Sequence, residues 1–142
     1  MKRILFVCTG NTCRSPMAEC MLRELIRQQG LAGQVQVLSA GTYALSGAPA
    51  SPGAIRAMQR RGLDLSQHRS QAVTAALLES CTQVICLSPS HLMQLRMMYP
   101  DCPTPMRALD DPPVSDPYGG DDAAYERAAR DIQRQLHAAL EG

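Results

Sequence analysis

The chain of 142 residues carries 14 Lys and Arg against 13 Asp and Glu, a formal net charge of +1. A single domain of this length buries a core without disulfide staples, and the near-neutral charge argues against a nucleic-acid groove or a polybasic membrane patch. The apolar run that starts the chain, within MKRILFVC, is too short for a signal peptide or a membrane span. We therefore expect a cytoplasmic protein that binds neither nucleic acid nor membrane.

The six cysteines are expected to be reduced thiols, because the cytoplasm is a reducing compartment. Their spacing lacks the paired Cys-x-x-Cys pattern of a structural zinc site. No metal and no other cofactor is predicted.

Strand and helix patterns alternate along the chain. The continuous apolar run RILFVC is typical of a strand buried on both faces. A helix is predicted to begin at Pro16 and to run to Gly30, because apolar positions between them recur at helical spacing. The same patterns predict further strands at 35–40, 83–88 and 104–109, and helices at 51–62, 74–80, 88–99 and from Tyr125 to Leu140.

This alternation predicts an α/β fold: one domain, residues 1–142, with a four-stranded parallel sheet and helices on both faces (doubly wound). In such sheets, ligands bind beyond the carboxyl ends of the strands. The predicted ends are Cys8, Ser39, Ser88 and the loop after Leu109, so chemistry is expected there.

The stretch VCTGNTCRSP joins the first strand to the first helix. A short loop at a helix N-terminus can turn successive backbone N–H groups inward and bind an anion. Gly10 permits a close backbone approach to an oxyanion, and Asn11 tolerates a left-handed conformation. The Arg14 guanidinium is suited to two phosphate oxygens at once. The loop therefore predicts a phosphate cradle.

Cys8 is predicted to be a nucleophile at the centre of that cradle. A helix N-terminus and a nearby guanidinium both favour thiolate over thiol. A thiolate that faces a bound phosphate is positioned to attack its phosphorus. The alternative is a strand-ending cysteine buried in the core and a surface arginine, which the surrounding Gly10 and Pro16 make less attractive.

The segment VCTGNTCRSPMAE closely resembles the active-site loop of the low-molecular-weight protein-tyrosine-phosphatase family, and SAGT, LDLSQHRS and DPYGG extend the resemblance through most of the chain. The resemblance implies a phosphocysteine intermediate on Cys8, phosphate binding by Arg14 and stabilisation of the thiolate by Ser15. It also implies that phosphorylated proteins are the substrates. The remaining positions that it implies are Thr9, Gly10, Asn11, Thr12 and Cys13 in the substrate-binding loop, and Asn11, Ser39 and His68 in a network that holds the loop's shape.

Phosphoryl transfer also needs a proton donor for the leaving group and a base for the attacking water, and one carboxyl group can serve both steps. The long loop LDDPPVSDPYGGDD offers Asp110, Asp111, Asp116, Asp121 and Asp122. Asp111 and Asp116 are each followed by proline, and their spacing does not separate them. The resemblance selects Asp116, in DPYGG, and implies that Tyr118 forms a wall of the substrate cleft. Asp121 and Asp122 are expected to cap the last helix.

Cys13 admits two compatible interpretations. It is a small side chain buried under the loop, and the resemblance implies that it forms a reversible disulfide with Cys8 that protects the nucleophile from over-oxidation. Cys20 and Cys86 are expected in the core. His91 and His137 are expected on the surface, and the Met-rich segment 91–99 in the core.

Thr12 bears on the substrate, because the family's tyrosine phosphatases commonly have isoleucine there, whereas threonine resembles the protein-arginine-phosphatase branch. A hydroxyl at the rim of the cradle can accept a guanidinium N–H, whereas isoleucine suits a flat apolar ring. Phosphoarginine is therefore favoured narrowly over phosphotyrosine.

Two other functions fit parts of the sequence. A thioredoxin-coupled arsenate reductase shares the fold and the first loop, but needs two further cysteines close together after the third strand. Cys81, Cys86 and Cys102 do not have that arrangement. A non-catalytic phosphate-binding module would need neither Cys8 nor Asp116.

Overall fold

A computed structural model describes residues 1–141, in which the four strands form one parallel sheet in the order β2-β1-β3-β4. The strands are β1 (Lys2–Cys8), β2 (Val35–Gly41), β3 (Gln83–Cys86) and β4 (Met106–Ala108). β1 pairs with β2 along its whole length, from Lys2 opposite Val35 to Cys8 opposite Gly41. The predicted α/β fold is confirmed.

Helices cover both faces of the sheet. They are α1 (Arg14–Gln28), α2 (Pro52–Gln59), α3 (Ala75–Glu79), α4 (Pro89–Met98), α5 (Asp122–Gln133) and α6 (Leu136–Glu141). Side chains of β1 alternate between two cores: Ile4 and Phe6 pack with α1, α2, α5 and α6, whereas Leu5 and Val7 pack with α3 and α4. Both faces of the strand are buried, which explains its continuous apolar run.

The chain turns from β1 to β2 on one side and then crosses to β3 on the other, so the topological switch point lies between β1 and β3. The β1–α1 and β3–α4 loops meet at this point, where open parallel sheets bind their ligands. Within residues 1–141, no helix has the length and apolar character needed to cross a membrane.

The first helix and the C-terminal helix differ from the prediction in informative ways, while the other helices agree to within a few residues at each end. The first helix begins at Arg14, two residues before Pro16, which is tolerated because the first N–H groups of a helix have no partner in the helix. The C-terminal helix is two helices, with a turn at 134–135. At that turn the Gln135 side chain donates to the Pro112 carbonyl (2.8 Å) and binds the loop between β4 and α5 to the helix pair.

The expectation that the Met-rich segment lies in the core is wrong for all three of its methionines. Met93, Met97 and Met98 are exposed on α4, whereas Leu95 of the same helix is fully buried. The apolar residues of α4 surround the helix, so their spacing alone does not tell which side faces the sheet.

Candidate active site

The loop from Thr9 to Cys13 carries a row of unpaired backbone donors. Asn11 has φ +57°, the left-handed conformation expected for a residue that turns peptide groups in succession. Within residues 1–141, the N–H groups of residues 9–15 donate to no other protein group. Such a row of donors at the N-terminus of α1 is suited to an oxyanion, and the oxyanion cradle stays a prediction.

Asn11 holds the loop in this shape. Its side chain is fully buried and all of its polar groups are used. Its Oδ1 accepts from the Gln71 backbone N–H (2.9 Å), and its Nδ2 donates to Ser15 Oγ and Ser39 Oγ (2.9 Å each). Its carbonyl accepts from His68 Nε2 (2.7 Å). The structure thus brings Ser39 and His68 to Asn11.

The direction of the hydrogen bonds around Asn11 determines whether the Ser15 hydroxyl proton is available to the Cys8 sulfur. The Gln71 N–H can only donate, so the Asn11 side-chain atom that it contacts must be the oxygen Oδ1. The other amide atom of Asn11, the nitrogen Nδ2, therefore faces Ser15. Ser15 Oγ accepts from Asn11 and lies 2.8 Å from Cys8 Sγ, so its own proton is available for the sulfur. A hydroxyl that donates to a sulfur stabilises the thiolate more than the thiol.

Glu19 and Gln71 extend the network, and neither was singled out from the sequence. Ser39 Oγ donates to Glu19 Oε1 (2.5 Å), while Gln71 Nε2 donates to the Ser39 carbonyl (3.0 Å). Glu19 follows Ser15 by one helical turn, and its carboxylate reaches the Ser39 hydroxyl and not the loop directly. The only sequence signal was its place in SPMAE.

Arg14 and Asp116 face each other across the cleft. Arg14 is 7% exposed, its Nη1 donates to the Val114 carbonyl (3.3 Å), and its Nη2 lies 3.6 Å from Asp116 Oδ2. Asp116 is mostly exposed, and its Oδ1 accepts from the Tyr118 N–H (3.1 Å). The structure therefore places Asp116, and not Asp111, at the mouth of the cradle.

The mouth opens into a cleft of about 360 Å³. Cys8, at the end of β1, and Thr12, on the loop that follows, both line it. Its walls are largely apolar, with Tyr43, Leu45 and Tyr118 strongly exposed. Tyr118 lies where the resemblance implies.

Cys13 is buried beneath the loop. Its Sγ lies 3.2 Å from Ser51 Oγ and 3.5 Å from the Tyr125 hydroxyl. Burial, followed by the hydrogen bond to Cys13, raises the pKa of Tyr125. Cys8 and Cys13 are both free thiols, and the disulfide between them stays a prediction.

The remaining cysteines lie apart from this chemistry. Cys20 and Cys86 are buried as expected, and burial raises the pKa of the first thiol to about 11 and of the second to about 12. Both are therefore protonated at neutral pH. Cys81 is buried too, and this arrangement does not favour a thiol relay to thioredoxin.

His91 was expected on the surface, and this expectation is wrong. It is 2% exposed at the start of α4, its Nε2 lies 2.9 Å from Thr9 Oγ1, and its Nδ1 lies 2.8 Å from Ser88 Oγ. Burial, with Arg14 as a second cause, lowers the pKa of His91 to about 4. His137 is exposed, as expected. Across residues 1–141, no cluster of three or more His, Cys, Asp or Glu is arranged to hold a metal.

Comparison with known proteins identifies a protein phosphatase, an enzyme that hydrolyses phosphorylated residues. The family model described as low molecular weight phosphotyrosine protein phosphatase matches residues 3–141, and the chain belongs to that family.

Relatives from both branches of the family match nearly the whole chain. The Ralstonia nicotianae protein named "Probable low molecular weight protein-tyrosine-phosphatase EpsP" is 37% identical over 141 residues, 97% of this chain and 93% of the relative. A protein-arginine-phosphatase of Geobacillus stearothermophilus is 36% identical over 91% of this chain and 86% of its own. Among solved structures, the YwlE arginine phosphatase, as a cysteine-to-serine mutant with a phosphorylated active-site serine, matches with a TM-score of 0.91 at 30% identity, over 98% of this chain and 93% of that one.

Proposed function

We propose that this chain hydrolyses phosphorylated protein side chains in two steps, through a phosphocysteine on Cys8. The observation that carries the proposal is the row of unpaired N–H groups at residues 9–15, with the Ser15 hydroxyl directed at the Cys8 sulfur. Donors fixed in advance around a phosphoryl group stabilise the charge of its transition state without reorganisation.

In the first step, the Cys8 thiolate attacks phosphorus, and the bond from phosphorus to the leaving oxygen or nitrogen breaks. Arg14 binds two of the phosphoryl oxygens. Asp116 donates a proton to the leaving oxygen or nitrogen as its bond to phosphorus breaks. The exposure of Asp116 at the mouth of the cleft suits this role, because the leaving group must face outward.

In the second step, Asp116 accepts a proton from water as the water attacks phosphocysteine. The sulfur–phosphorus bond breaks, inorganic phosphate leaves, and the Cys8 thiolate is regenerated. The phosphorylated active-site serine of the YwlE mutant supports this scheme, because it is a phosphoenzyme on the residue that replaces a cysteine.

The preferred substrate, in our proposal, is phosphoarginine rather than phosphotyrosine. Thr12 lines the cleft at the rim of the cradle, where the leaving group lies, and its hydroxyl can accept a guanidinium N–H. Overall identity does not separate the two substrates, because a relative named as a tyrosine phosphatase is 37% identical and a protein-arginine-phosphatase is 36% identical, so the choice rests on Thr12. The apolar walls at Tyr43 and Tyr118 favour phosphotyrosine as the second candidate, since they suit an aromatic ring.

Turnover of a phosphoarginine peptide and of a phosphotyrosine peptide with the same flanking residues tests both the phosphocysteine scheme and the preference for phosphoarginine. Wild type, Thr12→Ile, Thr12→Val and Cys8→Ser are compared. We expect faster phosphoarginine turnover by wild type, a loss of about tenfold in Thr12→Val from the missing hydrogen bond, and no turnover in Cys8→Ser.

Valine matches threonine in shape, so it separates the hydroxyl from the bulk that isoleucine adds. Preference for phosphotyrosine in all active forms would refute the role of Thr12 and leave the phosphocysteine scheme intact. Turnover of either peptide by Cys8→Ser would refute the scheme itself.

A further inference from the structure

His91 connects the β3–α4 loop to the first residue of the cradle. Thr9 follows the nucleophile directly, and its N–H is the first of the unpaired donors. Its side chain is exposed, yet its hydroxyl lies 2.9 Å from the Nε2 atom of a buried ring. A free threonine hydroxyl would rotate among its staggered positions.

We propose that His91 is a positioning residue for phosphate binding, which fixes the Thr9 end of the cradle through the hydroxyl of that residue. The inference rests on the proposed function, since it concerns how the same cradle binds its oxyanion.

The other side of the ring is held as firmly. His91 Nδ1 lies 2.8 Å from Ser88 Oγ, which caps α4 by accepting from the His91 backbone N–H (3.4 Å). Ser88 Oγ lies a further 2.8 Å from Ser90 Oγ. Both ring nitrogens therefore have partners, and the imidazole cannot turn without breaking a bond at each end.

Thr9 is also held through its backbone. Its carbonyl accepts from the Tyr43 N–H (2.9 Å), and the Cys8 carbonyl accepts from the Thr42 N–H (2.9 Å). The main chain is thus held from the β2 side and the side chain from the β3–α4 side. The N–H of Thr9 is the group left to face the oxyanion.

The charged groups around the ring agree with a neutral imidazole at this position. Arg14 opposes protonation of His91, Asp116 favours it, and burial is the dominant cause of the lowered pKa. The N-terminus of α4 also disfavours a cation. A neutral ring offers one donor and one acceptor nitrogen, and a hydroxyl partner can satisfy either of them.

Steady-state turnover of p-nitrophenyl phosphate, inhibition by inorganic phosphate and thermal unfolding test the inference. The variants are His91→Ala, His91→Gln, Thr9→Val, the double variant His91→Ala with Thr9→Val, and His137→Ala as an exposed control histidine. We expect His91→Ala and Thr9→Val each to raise the phosphate inhibition constant about two- to tenfold, the range of one hydrogen bond.

The double variant should be no worse than the worse single variant, because both remove the same bond. His91→Gln should recover most of the affinity, because its amide nitrogen reaches the position of Nε2. His137→Ala should behave as wild type.

A histidine that only stabilises the core gives a different result. His91→Ala then unfolds at a lower temperature while its phosphate inhibition constant stays unchanged, and the effects of His91→Ala and Thr9→Val are additive in the double variant. That result overturns the inference. If His91→Ala does not fold, Thr9→Val at its exposed position decides, and an unchanged inhibition constant there overturns it as well. Failure of the wild type to turn over p-nitrophenyl phosphate would instead refute the proposed function.

Discussion

Arg14 Nη2 and Asp116 Oδ2 lie 3.6 Å apart, although 102 positions separate the two residues in the chain (116 − 14). One belongs to the first turn of α1 and is buried, whereas the other belongs to the loop before α5 and is exposed. In our proposal the buried cation binds the phosphoryl group and the exposed carboxyl reaches its leaving group. The burial of Arg14 and the exposure of Asp116 agree with these two proposed roles.

The proposed acid role predicts that Asp116→Asn lowers kcat by about 10²- to 10⁴-fold. The amide cannot donate its proton to the leaving group, so substrates with poor leaving groups should suffer most. Steady-state kinetics with p-nitrophenyl phosphate and phenyl phosphate measure this difference. Asp111→Asn is the matched control, since that residue lies in the same loop and also precedes proline. A comparable loss in both variants would contradict the assignment of Asp116.

Ser15→Ala tests the hydroxyl that faces the nucleophile. The variant removes the group 2.8 Å from Cys8 Sγ and leaves the thiolate without that donor. Hydrogen bonds to charged groups contribute about 1.5–3 kcal/mol, so we expect kcat to fall by about 10- to 100-fold. The rate at which iodoacetamide alkylates Cys8 at neutral pH reports the thiolate directly and should fall too. An unchanged rate of alkylation would show that Ser15 does not stabilise the thiolate.

Gly41→Ala tests why the SAGT segment has a glycine beside the cradle. A Cβ on Gly41 would collide with the Thr9 carbonyl oxygen and lie 2.9 Å from Ala44 Cβ and 3.0 Å from the Asn11 backbone nitrogen. Two of these neighbours are backbone atoms of the loop, so the loop itself must move. We expect a loss of about 1–3 kcal/mol in the free energy of unfolding together with a loss of phosphate affinity.

Gly33→Ala is the control for this prediction, because nothing lies within 4 Å of a Cβ at that position. Urea unfolding and phosphate inhibition of both variants measure the two effects. Full phosphate affinity in Gly41→Ala would show that the loop tolerates displacement.

The sequence predicted most of the cradle because its residues are nearly contiguous. Cys8 and Arg14 flank one short loop, so their proximity follows from the chain itself. Asp116 could be chosen only through the family resemblance, since its approach to Arg14 depends on the tertiary fold. The same dependence explains the error at His91, whose partner Thr9 is 82 positions away.

Local pattern also left the exposure of α4 undetermined. Apolar residues on that helix do not form a single stripe, and only the sheet decides that Leu95 is buried and Met97 is exposed. The break between α5 and α6 has a similar origin, because Gln135 binds the loop at Pro112. The spacing of apolar residues along a helix reveals neither the packing of α4 on the sheet nor the contact between Gln135 and Pro112.

The lowered pKa of His91 predicts a pH-dependent contribution to stability. In the unfolded chain the imidazole titrates near its usual 6.5, whereas in the folded protein the pKa is about 4. Between these values the unfolded state binds a proton that the folded state does not, so stability rises with pH across this window and is lost as pH falls from 6.5 towards 4. Each pKa unit corresponds to about 1.4 kcal/mol, so the loss attributable to His91 is at most about 3.5 kcal/mol. Urea unfolding of wild type and His91→Gln at pH 7 and pH 4.5 measures it, and the advantage of wild type over the variant should shrink at the lower pH. An advantage that is the same at both values would mean that the ring is protonated as readily in the folded chain as in the unfolded one.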